Sequence, residues 1–236
     1  MSKASNRIDV YIERGQKRTF AGAIHWPGWC RSGPDEASVL QALFDYGPRY
    51  ARVLRAKEFA FQAPKNLSAL NVIERMKGDA TTDFGAPSLA PSADEEPVND
   101  EELQRFQAIL KACWRFFDAR SKSASGKKLR KGPRGGGREL DGVIEHLLGS
   151  DVGYLGGLGS KVKLDESAKS SEELKQVRKS ILEALTASAH GEIAERGPRG
   201  GIRWKPRYFV RRVAWHILDH AWEIEDRVVK GETPKL

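Results

Sequence analysis

The chain has 236 residues, 39% of them hydrophobic, which is enough apolar material for a proper core and excludes wholesale disorder. No run of about 18 apolar residues occurs and no apolar signal core follows Met1, so a membrane span and secretion are not expected, and a soluble, cytoplasmic protein is. The net charge of +8 comes entirely from the second half: residues 1–100 carry 13 basic and 13 acidic side chains, residues 101–236 carry 27 and 19.

Residues 7–13 (RIDVYIE) alternate as a strand does, and Gly15 turns the chain into KRTFAGAIHWPGW, a second strand ended by Pro27-Gly28. Ser32-Gly33-Pro34-Asp35 then offers turn and capping residues for a helix over DEASVLQALFDYGPRYARVLR, which Pro48 is expected to kink or interrupt. ALNVIERM (69–76) predicts one more strand. The order ββαβ makes a small α+β unit of residues 1–77. At GWCRSGPDEASVLQAL, with Pro27, Gly28 and Cys30 at the turn before the helix, this unit resembles the HicB-like antitoxin fold. The Ala-, Pro-, Ser- and Asp-rich residues 78–98 read as a linker and the best domain boundary, where limited proteolysis is expected to cut.

Four helices are predicted over residues 99–230. The first covers 100–121, capped by Asn99 or Asp100, with Leu103, Phe106, Ile109, Leu110, Cys113, Phe116 and Phe117 on one side. The second starts near Arg138 and runs through ELDGVIEHLLGSDVGYLGGL; the third covers 171–190. The fourth, 207–229 (RYFVRRVAWHILDHAWEIEDRVV), places Phe209, Val213, His216, Ile217, His220 and Ile224 on one face. The whole chain therefore reads as α+β: a ββαβ unit followed by a four-helix bundle. Cys30 and Cys113 do not make a disulfide framework, and Cys113 reads as a core residue.

The fourth helix carries the most pointed signal. A lone inward histidine is usually a hydrogen-bonded core residue, but His216 and His220 at i and i+4 face the same way and can share one ion. The zinc-protease pattern needs a glutamate after the first histidine; Ile217 stands there, so a protease of that class is excluded. A third ligand must come from elsewhere. His146, two turns into the second helix, can reach the same level of the core, and three histidines with an open position form a catalytic zinc-type ligand set. Nitrogen ligands suit Zn, Ni, Fe or Co alike. Ferritin-like di-iron chemistry is disfavoured, because the core stripes lack Glu-x-x-His pairs. Asp219, Glu223 and Asp151 are candidates to orient a ligand imidazole, though acids on helices mostly face solvent. His25 and His190 are expected bystanders.

EHLLGSDVGYL (145–155) and WHILDHAWEIEDR (215–227) resemble the DinB/YfiT-like family of metal-binding four-helix bundles, over about the last 135 residues. After the last histidine this chain has Ala221, Trp222 and Glu223 where many members have a further histidine and a Gly-Gln pair. The resemblance implies a bundle running up-down-down-up, a divalent metal on His146, His216 and His220, and thiol-linked transferase or isomerase chemistry; a nucleophile made by the metal also fits hydrolysis, and the arginines fit a small anionic substrate. A low-molecular-weight thiol is the implied co-reactant, and a homodimer is compatible with the sequence. A non-catalytic metal binder fits the same three histidines.

GPRGG occurs at 132–136 and 197–201, each time in a basic segment before a histidine-bearing helix. Such loops can wrap phosphates, with Trp204 and Tyr208 as stacking surface, so nucleic-acid binding is the less favoured alternative. Arg203 and Arg207 are the candidates to grip the carboxylates of a small substrate or thiol cofactor. In the family's helix order the two loops lie at opposite ends, and only 196–207 is expected near the site.

Overall fold

The computed structural model describes residues 7–55, 59–131, 137–164 and 170–229. The first GPRGG segment lies outside them. Alternation in the N-terminal sequence becomes a four-stranded sheet in the order β3-β2-β1-β4, with β1 Ile8–Arg14, β2 Thr19–Ala23, β3 Cys30–Gly33 and β4 Leu70–Lys77. β1 pairs antiparallel with β2 and parallel with β4, and β2 pairs antiparallel with β3. β3 is a strand that the sequence pattern does not predict. It has four residues, CRSG, and takes its extended form from pairing with β2 rather than from its own propensity.

Helix α1 (Glu36–Leu54) starts on Asp35, whose side chain accepts from the Ser38 amide, and runs unbroken through Pro48. Gly47 precedes that proline and has no Cβ to clash with its ring, which removes part of the usual penalty. Its buried face meets Trp29, which stacks on Tyr50 at 5.8 Å and donates to the Leu43 carbonyl. Between the strands and this helix, Gly28 adopts a positive φ of 93° and lies against Ala214 and Leu218, where a side chain would not fit.

Residues 78–98 are fixed at several points. They form a short helix α2 (Ala80–Phe84), closed by an Asp79 capping box, and a 3-10 turn over Ser92–Glu95. The buried Glu13 carboxylate of β1 accepts from the Ser88 and Leu89 amides and from the Thr82 hydroxyl. Asp94, 1% exposed, takes both the Nε and an Nη of Arg211, which in turn donates to the Ala23 and Ile24 carbonyls. An acid and a base this deeply buried must satisfy each other, and here they tie segment, sheet and helix together.

Four long helices follow: α3 Asp100–Ala124, α4 Leu140–Leu158, α5 Ser170–Ala189 and α6 Pro206–Arg227. Arg207 reaches Glu102 near the starts of α6 and α3, and Leu129 bridges Val228 beyond their ends, so those two run in the same direction. Gln107 bonds Thr186 and Arg178 bonds Asp118, which makes α5 antiparallel to α3. Tyr154 meets Arg212 while His146 meets His216, which makes α4 antiparallel to α6. The segments that precede α4 and α6 consequently lie at opposite ends.

α6 is buried on nearly every side, not on one stripe. Helices α3, α4 and α5 cover part of it, and the sheet covers the rest through Phe20 and Trp215, whose rings meet edge to face at 6.1 Å. A helix enclosed in this way must give its buried polar groups partners, as Arg211, His216 and His220 show. One continuous core joins sheet and helices, from Val10 and Trp29 to Ile109, Leu155 and Ile217. None of the described helices is long and apolar enough to cross a membrane.

Candidate metal centre

α4 and α6 cross antiparallel with His146 opposite the middle of α6. His146 Nε2 and His216 Nε2 lie 3.2 Å apart, as do His216 Nε2 and His220 Nε2. Among the described residues these three form the group of potential ligands whose donor atoms all lie within 4.8 Å of one another. Nitrogens each about 2.0–2.1 Å from one tetrahedral zinc are about 3.3 Å apart, so the spacing already suits a shared cation.

The protons favour the same reading. Glu223 Oε2 lies 2.7 Å from His220 Nδ1 and requires a donor there, so the neutral ring turns a bare Nε2 lone pair inward. Arg227, one turn on, holds the other oxygen of that carboxylate. The hydrogen bond from His220 is the main cause of a Glu223 pKa below the usual range. His216 is 7% exposed, and burial, followed by its imidazole neighbours, pushes its pKa down to about 2. His146 is lowered as well, by burial first and then by Arg138. His146 and His216 therefore stay neutral at physiological pH, which is the form that binds metal. His216 Nδ1 is buried without a hydrogen-bond partner, so the contacts this ring makes through nitrogen all run through Nε2.

Tyr154 and Trp215 flank His216, with ring centroids at 5.6 and 5.7 Å, and shield it from water. His146 is only half-buried and marks the open side. Arg138 lies just ahead of the first turn of α4. A side chain at Gly142 would touch Arg138, so the arginine lies along this bare stretch of α4 towards His146. The charges of Arg138 and Arg212 both bear on His216. Both arginines close the basic segments of the sequence, Arg138 just ahead of α4 and Arg212 in the second turn of α6.

The remaining candidates lie elsewhere. Asp219 pairs with Arg31 at 2.9 Å, on the side of α6 that faces the sheet. Asp151 is buried, has one oxygen without a partner, and is raised by that burial to about 7, with Arg178 nearby. Arg207 is committed to Glu102 and to the Glu96 and Pro97 carbonyls. Arg203 donates to the Ala194 carbonyl and lines, with Trp204, a cleft of about 850 Å³. Tyr154 and Trp204 stand between that cleft and His216. His190 pairs with Asp100, and His25 is exposed. Both cysteines are buried, and burial pushes the Cys30 thiol up to about 12. The chain matches no protein-family model, no curated protein and no solved structure.

Proposed function

We propose that this chain is a divalent-metal-binding protein built on a four-helix bundle of the DinB/YfiT-like kind, with His146, His216 and His220 as ligands. We further propose that it is a metal-dependent enzyme of the thiol-transferase, isomerase or hydrolase type, acting on a small anionic substrate. The convergence of three Nε2 atoms, two pairs of them at 3.2 Å, carries the reading. The helix directions agree with the order the resemblance implies.

A bound Zn, Ni or Fe ion would lower the pKa of a coordinated thiol or water towards neutrality and so supply a nucleophile. The chain's own groups divide the remaining work. Glu223 keeps the proton of His220 on Nδ1. Tyr154 and Trp215 limit water around His216. Arg138 and Arg212 supply positive charge for a substrate carboxylate or phosphate.

Elemental analysis of wild type and His216→Ala, each purified without a nickel column, tests the metal site. One ion per chain is expected in the first and none in the second; equal metal in both refutes the site. A thiol-transfer and hydrolysis screen of the metal-loaded protein tests the catalytic half, and silence across it leaves a metal binder without that chemistry.

A further inference from the structure

A cleft of about 850 Å³ runs between residues 88–98, the ends of α4 and α5, and residues 193–206. The chain itself ties its walls down. The Tyr208 hydroxyl donates to the Ser88 carbonyl, and the Trp204 amide donates to the Gly157 carbonyl of α4. Residues 195–203 close as a hairpin, with the Arg203 amide on the Glu195 carbonyl and the Gly197 amide on the Gly201 carbonyl. The second GPRGG segment forms the tip of that hairpin.

The aromatic part of the lining is oriented. Gly157 and Tyr154, one turn apart on α4, both lie on the same side of the Trp204 indole. A β-carbon on Gly157 would come within 2.8 Å of the ring, and the Tyr154 ring centroid is 5.5 Å away. Tyr208 meets the indole edge to face at 4.9 Å. The face of Trp204 turned away from α4 is therefore left to the cleft, beside buried Val98, Leu158 and Tyr208. The charges in the lining are matched and engaged. Glu95, Glu96 and Glu195 stand against Arg196, Arg203 and Lys205. Glu195 holds Lys205 at 2.7 Å, Arg203 donates to the Ala194 carbonyl and Arg196 to the Gly200 carbonyl. A charged ligand would have to displace these bonds or leave its own charge uncompensated.

We propose that this cleft binds an uncharged small molecule with a flat aromatic ring, which stacks on the free face of Trp204. Aromatic rings prefer offset-stacked or edge-to-face partners, and Trp204 with Tyr208 at right angles offers both. The volume falls within the roughly 300–1,000 Å³ typical of pockets for drug-sized ligands. Ile202, 73% exposed, extends the apolar surface at the rim. The site is separate from the histidine centre, since Tyr154 and Trp204 stand between them.

Fluorescence titration of the full chain with phenylnaphthylamine, an uncharged aromatic dye that brightens in apolar surroundings, tests the site. Saturable binding of one dye per chain is expected. Trp204→Ala is expected to weaken it about tenfold, the loss of one ring-to-ring contact. Ala90→Trp puts bulk into the cleft from an exposed position. It is expected to weaken binding by a similar factor with an unchanged melting temperature, which separates lost binding from lost fold. The sulfonated analogue, anilinonaphthalenesulfonate, adds a negative charge to similar rings and is expected to bind about tenfold more weakly. Absence of saturable dye binding, or unchanged affinity in either variant, overturns the proposal. Equal or tighter binding of the sulfonate overturns the uncharged class. A dimer in sedimentation whose formation excludes the dye overturns it in favour of a second copy of the chain.

Discussion

Glu223→Gln isolates the contribution of the carboxylate behind the imidazoles. Glutamine keeps the volume and can still accept from His220 Nδ1, but a charge-assisted bond of 2.7 Å becomes a neutral one. Removing such a partner of a metal ligand typically costs 10–100-fold in affinity, or about 1.4–2.7 kcal/mol. The side chain of Glu223 is 31% exposed, and the hydrogen bond itself survives, so the lower end applies: about tenfold. Asp219→Asn is the control. It lies between the two ligands in sequence but pairs with Arg31 and is 40% exposed, so a change of no more than about twofold is expected. Competition against a chromophoric zinc chelator at neutral pH measures both. Unchanged affinity in Glu223→Gln, or an equal loss in Asp219→Asn, refutes the assignment of Glu223 as the group that sets the His220 tautomer.

Two further predictions concern stability. Burial raises Asp151 to about 7, so between about pH 4 and 7 the folded chain keeps a proton that the unfolded chain releases. Stability then falls as pH rises through that window, by about 1.4 kcal/mol per unit, and levels off above it. Asp151→Asn is expected to remove this slope in denaturant unfolding; identical pH profiles for variant and wild type refute it. Asp94→Ala strands the Arg211 guanidinium at 6% exposure and is expected to cost about 3 kcal/mol, the low end of the range because the Ala23 and Ile24 carbonyls remain as acceptors. The double variant Asp94→Leu/Arg211→Met is expected to recover most of it, and a cost below about 1 kcal/mol for the single variant in urea unfolding counts against the lock.

What was legible in the sequence is what local rules encode. Hydrophobic period and caps place α3 and α5 within a few residues, and Asn99 does form the capping box. HxxxH on α6 together with a level-matched His146 is a pattern of period and helix length, both of which sequence carries. β3 was invisible because its strand character comes from its partner. The Arg211–Asp94 pair spans 117 positions of sequence, and each member alone looks like a solvated charge on a helix or in a polar segment. Residues 78–98 read as a linker on composition, because Ala, Pro, Ser and Asp suit a tether as well as a tied-down strap. The apolar stripe of α6 was a partial view: Ala214 and Leu218 face Gly28, almost two hundred positions away. Arg138 belongs by sequence to the basic segment ahead of α4, and only its contact with the Gly142 stretch shows its place on the His146 side.

α6 is held to the rest of the molecule on both sides at once. Arg211 bonds to Asp94 and to the sheet carbonyls, and His216 and His220 follow on the same 22-residue helix. Sliding the helix by one residue shifts it 1.5 Å and turns it by about 100°, which would pull the guanidinium from its acceptors and the imidazoles from one another. Its axial register is therefore over-determined by contacts that need no ion. In small domains folded by their metal, ligands gather only as the ion arrives. If the three histidines take an ion as proposed, its removal is expected to leave the helix in register, which circular dichroism before and after chelation checks.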